Sequence, residues 1–327
     1  MPQARYRLVD TATTPYYHCI SRCVRRAFLC GKDRFTGRSF DHRKQWILDR
    51  VKLLSSLFAI DVCAYAIMSN HFHLVLYVDV KQAREWTRDE VIDRWMGLYN
   101  EPSVVKKYKA GELLGTMELE ALELLVEVWR NRLADLSWYM RCLNEKIARL
   151  ANVEDGCTGR FWEGRFKSQA LLDEAALISC MAYVDLNPIR AGICESLESS
   201  DFTSIQERQS QFKKDIKPDC SPWLKPLRNE KELPTKASLP LLATSYFALV
   251  DWTGRAVRDD KKGAIPEHIQ PILQRLGVNQ DNWVNNTQHF GSRFRRAIGR
   301  ISQIRKLAFR TDQHWINGFS STSAFYH

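Results

Sequence analysis

No apolar run in this 327-residue sequence approaches the ~20 residues that a helix needs to cross a bilayer. A helical membrane span is therefore excluded. The opening stretch MPQARYRLVDTATTPYY lacks the apolar core of a secretory signal, so a cytoplasmic protein is expected. Nine cysteines make an odd count, no CxxC occurs, and the spacings form no repeated pair. That pattern argues against a disulfide framework and for reduced thiols. Cys19 and Cys23 would share a strand face, where side-by-side packing is the simpler reading. HExxH is missing too, which removes the usual mark of a helix-borne zinc protease. There are no internal repeats, and no window is disordered throughout.

Acid is what the basic stretches lack. From His289 to Arg310, HFGSRFRRAIGRISQIRKLAFR carries six arginines and one lysine with no Asp or Glu. A second stretch, Arg22 to Lys44, sets Arg22, Arg25, Arg26, Lys32, Arg34, Arg38, Arg43 and Lys44 against Asp33 and Asp41. Both interleave aromatics, among them Phe28, Phe35, Phe290 and Phe294. Guanidinium groups beside aromatic planes suit phosphate pairing with base stacking. A solvated helix face is the plainer alternative for either stretch alone. Two of them in a chain of net charge +10 favour nucleic acid.

The residue pattern predicts an α+β fold: a mostly antiparallel sheet with packed helices, a helical insertion and a C-terminal helical module. Residues 16–23 read as a strand, and Trp46, Ile47, Val51, Leu54 and Phe58 form a helical stripe over about Asp41–Phe58. IDVCAYAIM and FHLVLYVDV follow as a hairpin turned at Ser69 and Asn70. Residues 81–159 are helical, and the stretch from Met117 to Asn152 reads as one long amphipathic run. RFWEGRFKSQALL enters another strand, Asp173 is placed to cap a helix over EAALISCMAYVDL, and Pro188 ends or kinks that helix. Residues 211–240, with five prolines from position 217 on, mark a linker. Residues 241–327 form a helical, basic module suited to DNA.

One strand poses the chemical question. In NHFHLVLYVD, residues 70–79, His71, His73, Val75 and Tyr77 share one face while Phe72, Leu74, Leu76 and Val78 fill the other. The apolar face is complete without the histidines. Two imidazoles at i and i+2 can chelate one metal ion, or they can be hydrogen-bonded bystanders. A zinc hydrolase would need a third protein ligand and a base, and neither is visible.

SNHFHLVL resembles the histidine–hydrophobic–histidine strand of the HUH endonucleases. GRFWEGRFKSQALLDEAALISCMAYVDLNPIRAG resembles the second signature of their single-tyrosine branch, above all the REP-associated tyrosine transposases. There a tyrosine opens a Y-x-x-x-N-P-x-R/K run, matched here by Tyr183 in YVDLNPIR, and RFWE at 160–163 matches as well. The resemblance spans about Thr14–Ile205 and assigns residues 1–80 and 160–210 to a catalytic domain. It departs in the longer stretch between the histidines and the tyrosine, and in the added region after about 240.

That resemblance implies a metal-dependent enzyme that cuts and rejoins single-stranded or hairpin DNA, with repetitive palindromic elements as partners. His71, His73 and Asn187 would hold Mg²⁺ or Mn²⁺, and Tyr183 would be the catalytic nucleophile, forming a 5′-phosphotyrosine. Arg22, Arg25, Arg26, Arg160, Arg165, Lys167, Arg190, Arg293, Arg295, Arg296 and Arg300 are the expected DNA contacts, with surface charge as the alternative for each. The plain reading of Tyr183 is a buried helix aromatic, and that of Glu163 a salt-bridge partner. Arg190 either reaches a phosphate or caps the helix end. The protein would be bacterial, cytoplasmic and nucleoid-associated when bound to DNA, as a monomer or homodimer. The alternative function is a descendant that binds DNA hairpins without cutting them.

Overall fold

The computed structural model describes residues 7–24, 29–32, 37–213, 223–228, 237–258, 266–314, 316, 322–323 and 325–326. The chain enters a strand, β1 (Tyr16–Arg22), then helix α1 (His42–Leu57), then the hairpin of β2 (Ile60–Ile67) and β3 (His71–Val78). Met68 N–H donates to the His71 carbonyl at 2.9 Å and closes the turn. The pairing runs from Ile67↔Phe72 to Ile60↔Val78, so β3 keeps its histidines on one face throughout. β1 lies along the other side of β3, again antiparallel, with Arg22 opposite His71 and Ile20 opposite His73.

Five helices fill the next stretch: α2 (Val80–Glu85), α3 (Arg88–Met96), α4 (Ser103–Lys109), α5 (Thr116–Leu133) and α6 (Leu136–Glu154). The run from Met117 to Asn152 is thus two helices rather than one. Asp135 makes the break, since its side chain accepts from Trp138 N–H and caps a new helix. An aspartate at that point serves a helix start better than a helix interior.

β4 (Lys167–Leu171) then pairs with β1, and α7 (Glu174–Asp185) follows. Asp173 caps α7 as its position predicts, accepting from Ala176 N–H at 2.9 Å. Every residue of α7 from Ala175 to Asp185 is buried. A helix buried all round belongs inside a core. Pro188 falls in the first turn of the short helix α8 (Asn187–Arg190), where its missing N–H costs nothing. The rest comprises α9 (Ser204–Lys213), the two-stranded parallel pair β5 (Leu227–Arg228) and β6 (Leu239–Leu242), then α10 (Ala243–Arg258), α11 (Gln270–Leu276), α12 (Gln280–Gln288), α13 (Phe290–Arg293), β7 (Ala297–Ile298) and α14 (Ile301–Arg310).

The main sheet has the order β2-β3-β1-β4-β7, antiparallel except for the last pair. Helices cover both faces. Phe72, Leu74 and Leu76 pack with Ile47, Val51 and Leu54 of α1 and Leu143 and Ile147 of α6. Val75, on the histidine face, packs with Ala176, Cys180 and Met181 of α7, Leu249 of α10 and Trp283 of α12. This is the α+β, mostly antiparallel architecture that the alternation predicts.

Two stretches pack more closely than their composition indicates. In the expected linker, Leu224 and Lys225 are buried, and Lys225 N–H donates to the Val62 carbonyl at 2.8 Å. They cover the outer edge of β2, whose backbone groups would otherwise lack partners. Residues 241–327 supply β7 to the main sheet and α10, α12 and α13 to the core around α7. No described helix is long and apolar enough to cross a membrane.

Candidate active site

The histidine face of the sheet is where the chemistry-bearing residues meet. The rings of His71 and His73 lie 4.8 Å apart, centre to centre. Beside them, on β1, stands a third imidazole. His18 Nε2 is 2.8 Å from His73 Nδ1, and the two rings stack with a 15° angle between planes. Gln169 of β4 lies opposite His18 in register, with its Oε1 3.1 Å from His18 Nδ1. Gln169 Nε2 in turn donates to the Phe294 carbonyl at 2.5 Å.

α7 crosses this face and lowers Tyr183 onto it. The phenol ring meets His73 edge-on at 5.6 Å and His18 at 6.0 Å. Tyr183, Asn187 and Arg190 follow one another at i, i+4 and i+7, so they share a side despite the change of helix at Leu186. The Arg190 guanidinium sits 4.7 Å from the centre of the Tyr183 ring and donates to Asn187 Oδ1 at 3.0 Å. Phe290 of α13 stacks on the phenol at 5.2 Å. Gly291 lies against the hydroxyl: a Cβ added there would be 2.6 Å from Tyr183 Oη. Tyr183 is 7% exposed, and Gly291 beside its hydroxyl is exposed.

The C-terminal end of α7, two residues past Tyr183, is anchored by a buried carboxyl group. Asp185 is fully buried and accepts from Ser204 Oγ, from Ile205 N–H at 3.0 Å and from Tyr246 Oη at 2.5 Å. Burial pushes its carboxyl up to about 6, against the hydrogen bonds from Ser204 and Tyr246 that favour the anion. This cluster fixes α7 to α9 and α10.

Burial also shapes the imidazoles. It holds His18 down to about 4, against the pull of Gln169. His71 is brought down to about 4 by burial, then by the charges of Arg22 and His18, with Glu163 opposing. His73 lies well below the usual histidine range for the same first reason, with His18, His71 and Arg190 adding to it. All three rings are neutral at neutral pH, the form in which a histidine ligates a metal.

Several polar atoms on this face are left over. His73 Nε2, Asn187 Nδ2 and Arg190 Nε are buried with no hydrogen-bond partner among the described residues. A bare ring nitrogen beside a second imidazole fits a divalent cation. Asn187 turns its oxygen to Arg190, a bond that uses one of that oxygen's two lone pairs and leaves the other, while its Nδ2 is no ligand. His18 has both ring nitrogens engaged. Among the described residues no group of three or more His, Cys, Asp and Glu side chains could hold a metal ion.

Of the other expected contacts, Arg22 pairs in register with His71, and its charge reaches both His71 and His73. Arg160 turns inward on its own loop, donating to the carbonyls of Trp162 and Glu163. Arg165 and Lys167 are exposed just before and at the start of β4, and Arg295 and Arg300 are exposed around β7. Arg293 donates to Asn286 Oδ1 at 2.6 Å and Arg296 to Gln313 Oε1 at 2.9 Å. Arg25 and Arg26 lie outside the described residues. His18, Gln169, Phe290 and Gly291 are site residues that no sequence motif singles out. The one signal for them is the alternation of YYHCISR, which puts His18 on the opposite face from the core residues Tyr17 and Cys19.

Fold and site together define a class: an α+β protein whose sheet carries a buried imidazole cluster beneath a helix-borne tyrosine. Comparison with protein-family models found no match, and comparison with curated proteins found none. Among solved structures, one described as a REP-associated tyrosine transposase bound to a REP hairpin is similar to this chain. The TM-score is 0.38 and the identity 10%, over 74% of this chain and 100% of that one. A likeness of that degree says nothing about individual residues.

Proposed function

We propose that this chain cuts and rejoins single-stranded DNA at hairpins through a covalent bond to Tyr183. The observation that carries the reading is the edge-on approach of the Tyr183 ring to His73 at 5.6 Å, with the Arg190 guanidinium 4.7 Å from the same ring. The sequence resemblance of the two motifs supports it.

His71 and His73 would hold a divalent cation. Bound there, Mg²⁺ or Mn²⁺ would act as a Lewis acid on the non-bridging phosphate oxygens, Mn²⁺ more tightly given imidazole ligands. The rest falls to the chain's own groups. Arg190 Nε and Asn187 Nδ2, donors without partners among the described residues, would bond the phosphate oxygens and hold the scissile group against the phenol. Asn187 would so add a phosphate contact through its nitrogen to the cation ligation that the resemblance implies for its oxygen. Tyr183 Oη loses its proton and attacks phosphorus, forming the phosphotyrosyl bond while the bond to the 3′ oxygen breaks. The leaving 3′ oxygen takes up a proton. Attack by a second 3′-hydroxyl reverses these steps and needs no ATP, because a phosphodiester is conserved throughout.

Gly291 stands against the hydroxyl and narrows the approach of a phosphodiester to it. That crowding favours the second reading, a hairpin-binding protein that does not cut. One experiment separates the two. End-labelled hairpin DNA is incubated with the protein and Mn²⁺ and run on a denaturing gel. A covalent adduct is expected in the wild type and none in Tyr183→Phe or His71→Ala. An adduct that persists in Tyr183→Phe removes that residue from its role, and hairpin binding with no adduct in any protein leaves the second reading.

A further inference from the structure

Gln169 and His18 form a chain of hydrogen bonds that begins at a backbone carbonyl and ends at His73. The Phe294 carbonyl can only accept, so the amide group 2.5 Å from it must be the nitrogen of Gln169. Gln169 therefore turns its oxygen to His18, and that oxygen also can only accept. The proton on His18 is thus at Nδ1, and Nε2 of the neutral ring carries a lone pair. Its neighbour 2.8 Å away, His73 Nδ1, must be the donor of that bond. A neutral His73 with its proton on Nδ1 has a lone pair on Nε2.

We propose that His18 and Gln169 are positioning residues which lock His73 into the Nδ1–H tautomer and so hold its Nε2 lone pair towards the site. Two further observations agree. His73 Nε2 is buried without a partner among the described residues, and a bare acceptor is tolerated there far more readily than a bare N–H. Arg190, a cation whose charge bears on His73, favours the neutral ring that this order of hydrogen bonds requires. Three strands and the C-terminal segment thus cooperate on one proton: β3 supplies His73, β1 His18, β4 Gln169, and the segment before β7 the carbonyl that sets the order.

The use made of the lone pair rests on the reading that the imidazole pair binds a divalent cation; the tautomer itself does not. The test is a long-range ¹⁵N–¹H correlation spectrum of the metal-free protein at neutral pH, with Mn²⁺ affinity measured separately by EPR of the free ion. His73 is expected to show a protonated Nδ1 and an unprotonated Nε2. In His18→Phe, which keeps a ring in the stack and removes the acceptor, and in Gln169→Leu, the Nε2–H form should become populated. Their Mn²⁺ affinity should fall about tenfold or more, the usual effect of losing an outer partner of a metal-bound histidine. A His73 that carries its proton on Nε2 in the wild type overturns the proposal, and that measurement needs no variant to fold. Variants with an unchanged tautomer and unchanged Mn²⁺ affinity overturn it too. The expected tautomer in a wild type that binds no Mn²⁺ upholds the relay and removes the cation from the proposed function.

Discussion

Replacing Gly291 by alanine tests the placement of the Tyr183 hydroxyl through its sign. At an exposed helical glycine, alanine ordinarily stabilises by about 0.5–1 kcal/mol, because it restricts the unfolded chain. Here the new Cβ would stand 2.6 Å from Oη, where ordinary contact begins near 3.4 Å. The shortfall of about 0.8 Å has to be absorbed by a phenol packed between Phe290 and His73, and overpacking of that kind costs about 1–3 kcal/mol. Gly291→Ala should therefore destabilise the wild type by up to about 2 kcal/mol net. In Tyr183→Phe the hydroxyl is gone and the nearest ring atom, Cζ, is already at 3.4 Å. There the same substitution should stabilise. Urea unfolding of the four proteins closes a double-mutant cycle with an expected coupling of about 1–3 kcal/mol. A coupling under about 0.5 kcal/mol would show that Oη does not lie against residue 291, and the placement of the hydroxyl would fail.

Asp185→Ala leaves Tyr246 Oη and Ile205 N–H without an acceptor, while Ser204 Oγ can turn to the Tyr65 carbonyl 3.4 Å away. The loss should be about 3 kcal/mol in urea unfolding, and a change below about 1 kcal/mol would show that the cluster does not anchor α7. Acid should loosen the contact of Asp10 with Arg310. Burial works to raise the Asp10 carboxyl, but the hydrogen bonds from Arg310 and Thr13 hold it below the usual range. Its contribution is present above pH ~4 and is lost as pH falls through the lowered folded value, so Asp10→Asn should flatten the acid limb of the stability profile. An unchanged limb would place that charge elsewhere. Neutralising Arg295 and Arg300 should reduce the dependence of log affinity for hairpin DNA on log salt by about 0.7 for each single-strand phosphate that is no longer neutralised. An unaltered slope would show both pointing away from the nucleic acid.

How far residues announce such a site depends on the distance over which they act. The hairpin, the histidine pair and the cap at Asp173 are set by alternation and by neighbours within a few positions, and each is visible in the sequence. So is the grouping of Tyr183 with Asn187, which helical spacing at i and i+4 dictates. His18 escapes notice because one histidine on a strand has no local reason to differ from a bystander. Its meaning comes from register, which puts it opposite Gln169 at a separation of 151 residues. Phe290 and Gly291 read as part of a basic stretch, since nothing nearby in the chain marks them as a cover for Tyr183. β7 has only two residues, too short for any alternation to show. Leu224 and Lys225 sit among prolines, and only the open edge of β2 explains their burial.

The parallel pairing of β7 with β4 also carries a message about timing. Ala170 and Leu171 meet Ala297 and Ile298, so that stretch of sheet stays open while more than a hundred intervening residues leave the ribosome. Phe290, Gly291 and the Phe294 carbonyl arrive with that last strand. A nascent chain thus has its imidazoles and its tyrosine well before it has the lock on one and the cover on the other. Assembly of the site is a late event in translation, and a chain stalled before residue 290 would carry the reactive groups without the parts that discipline them.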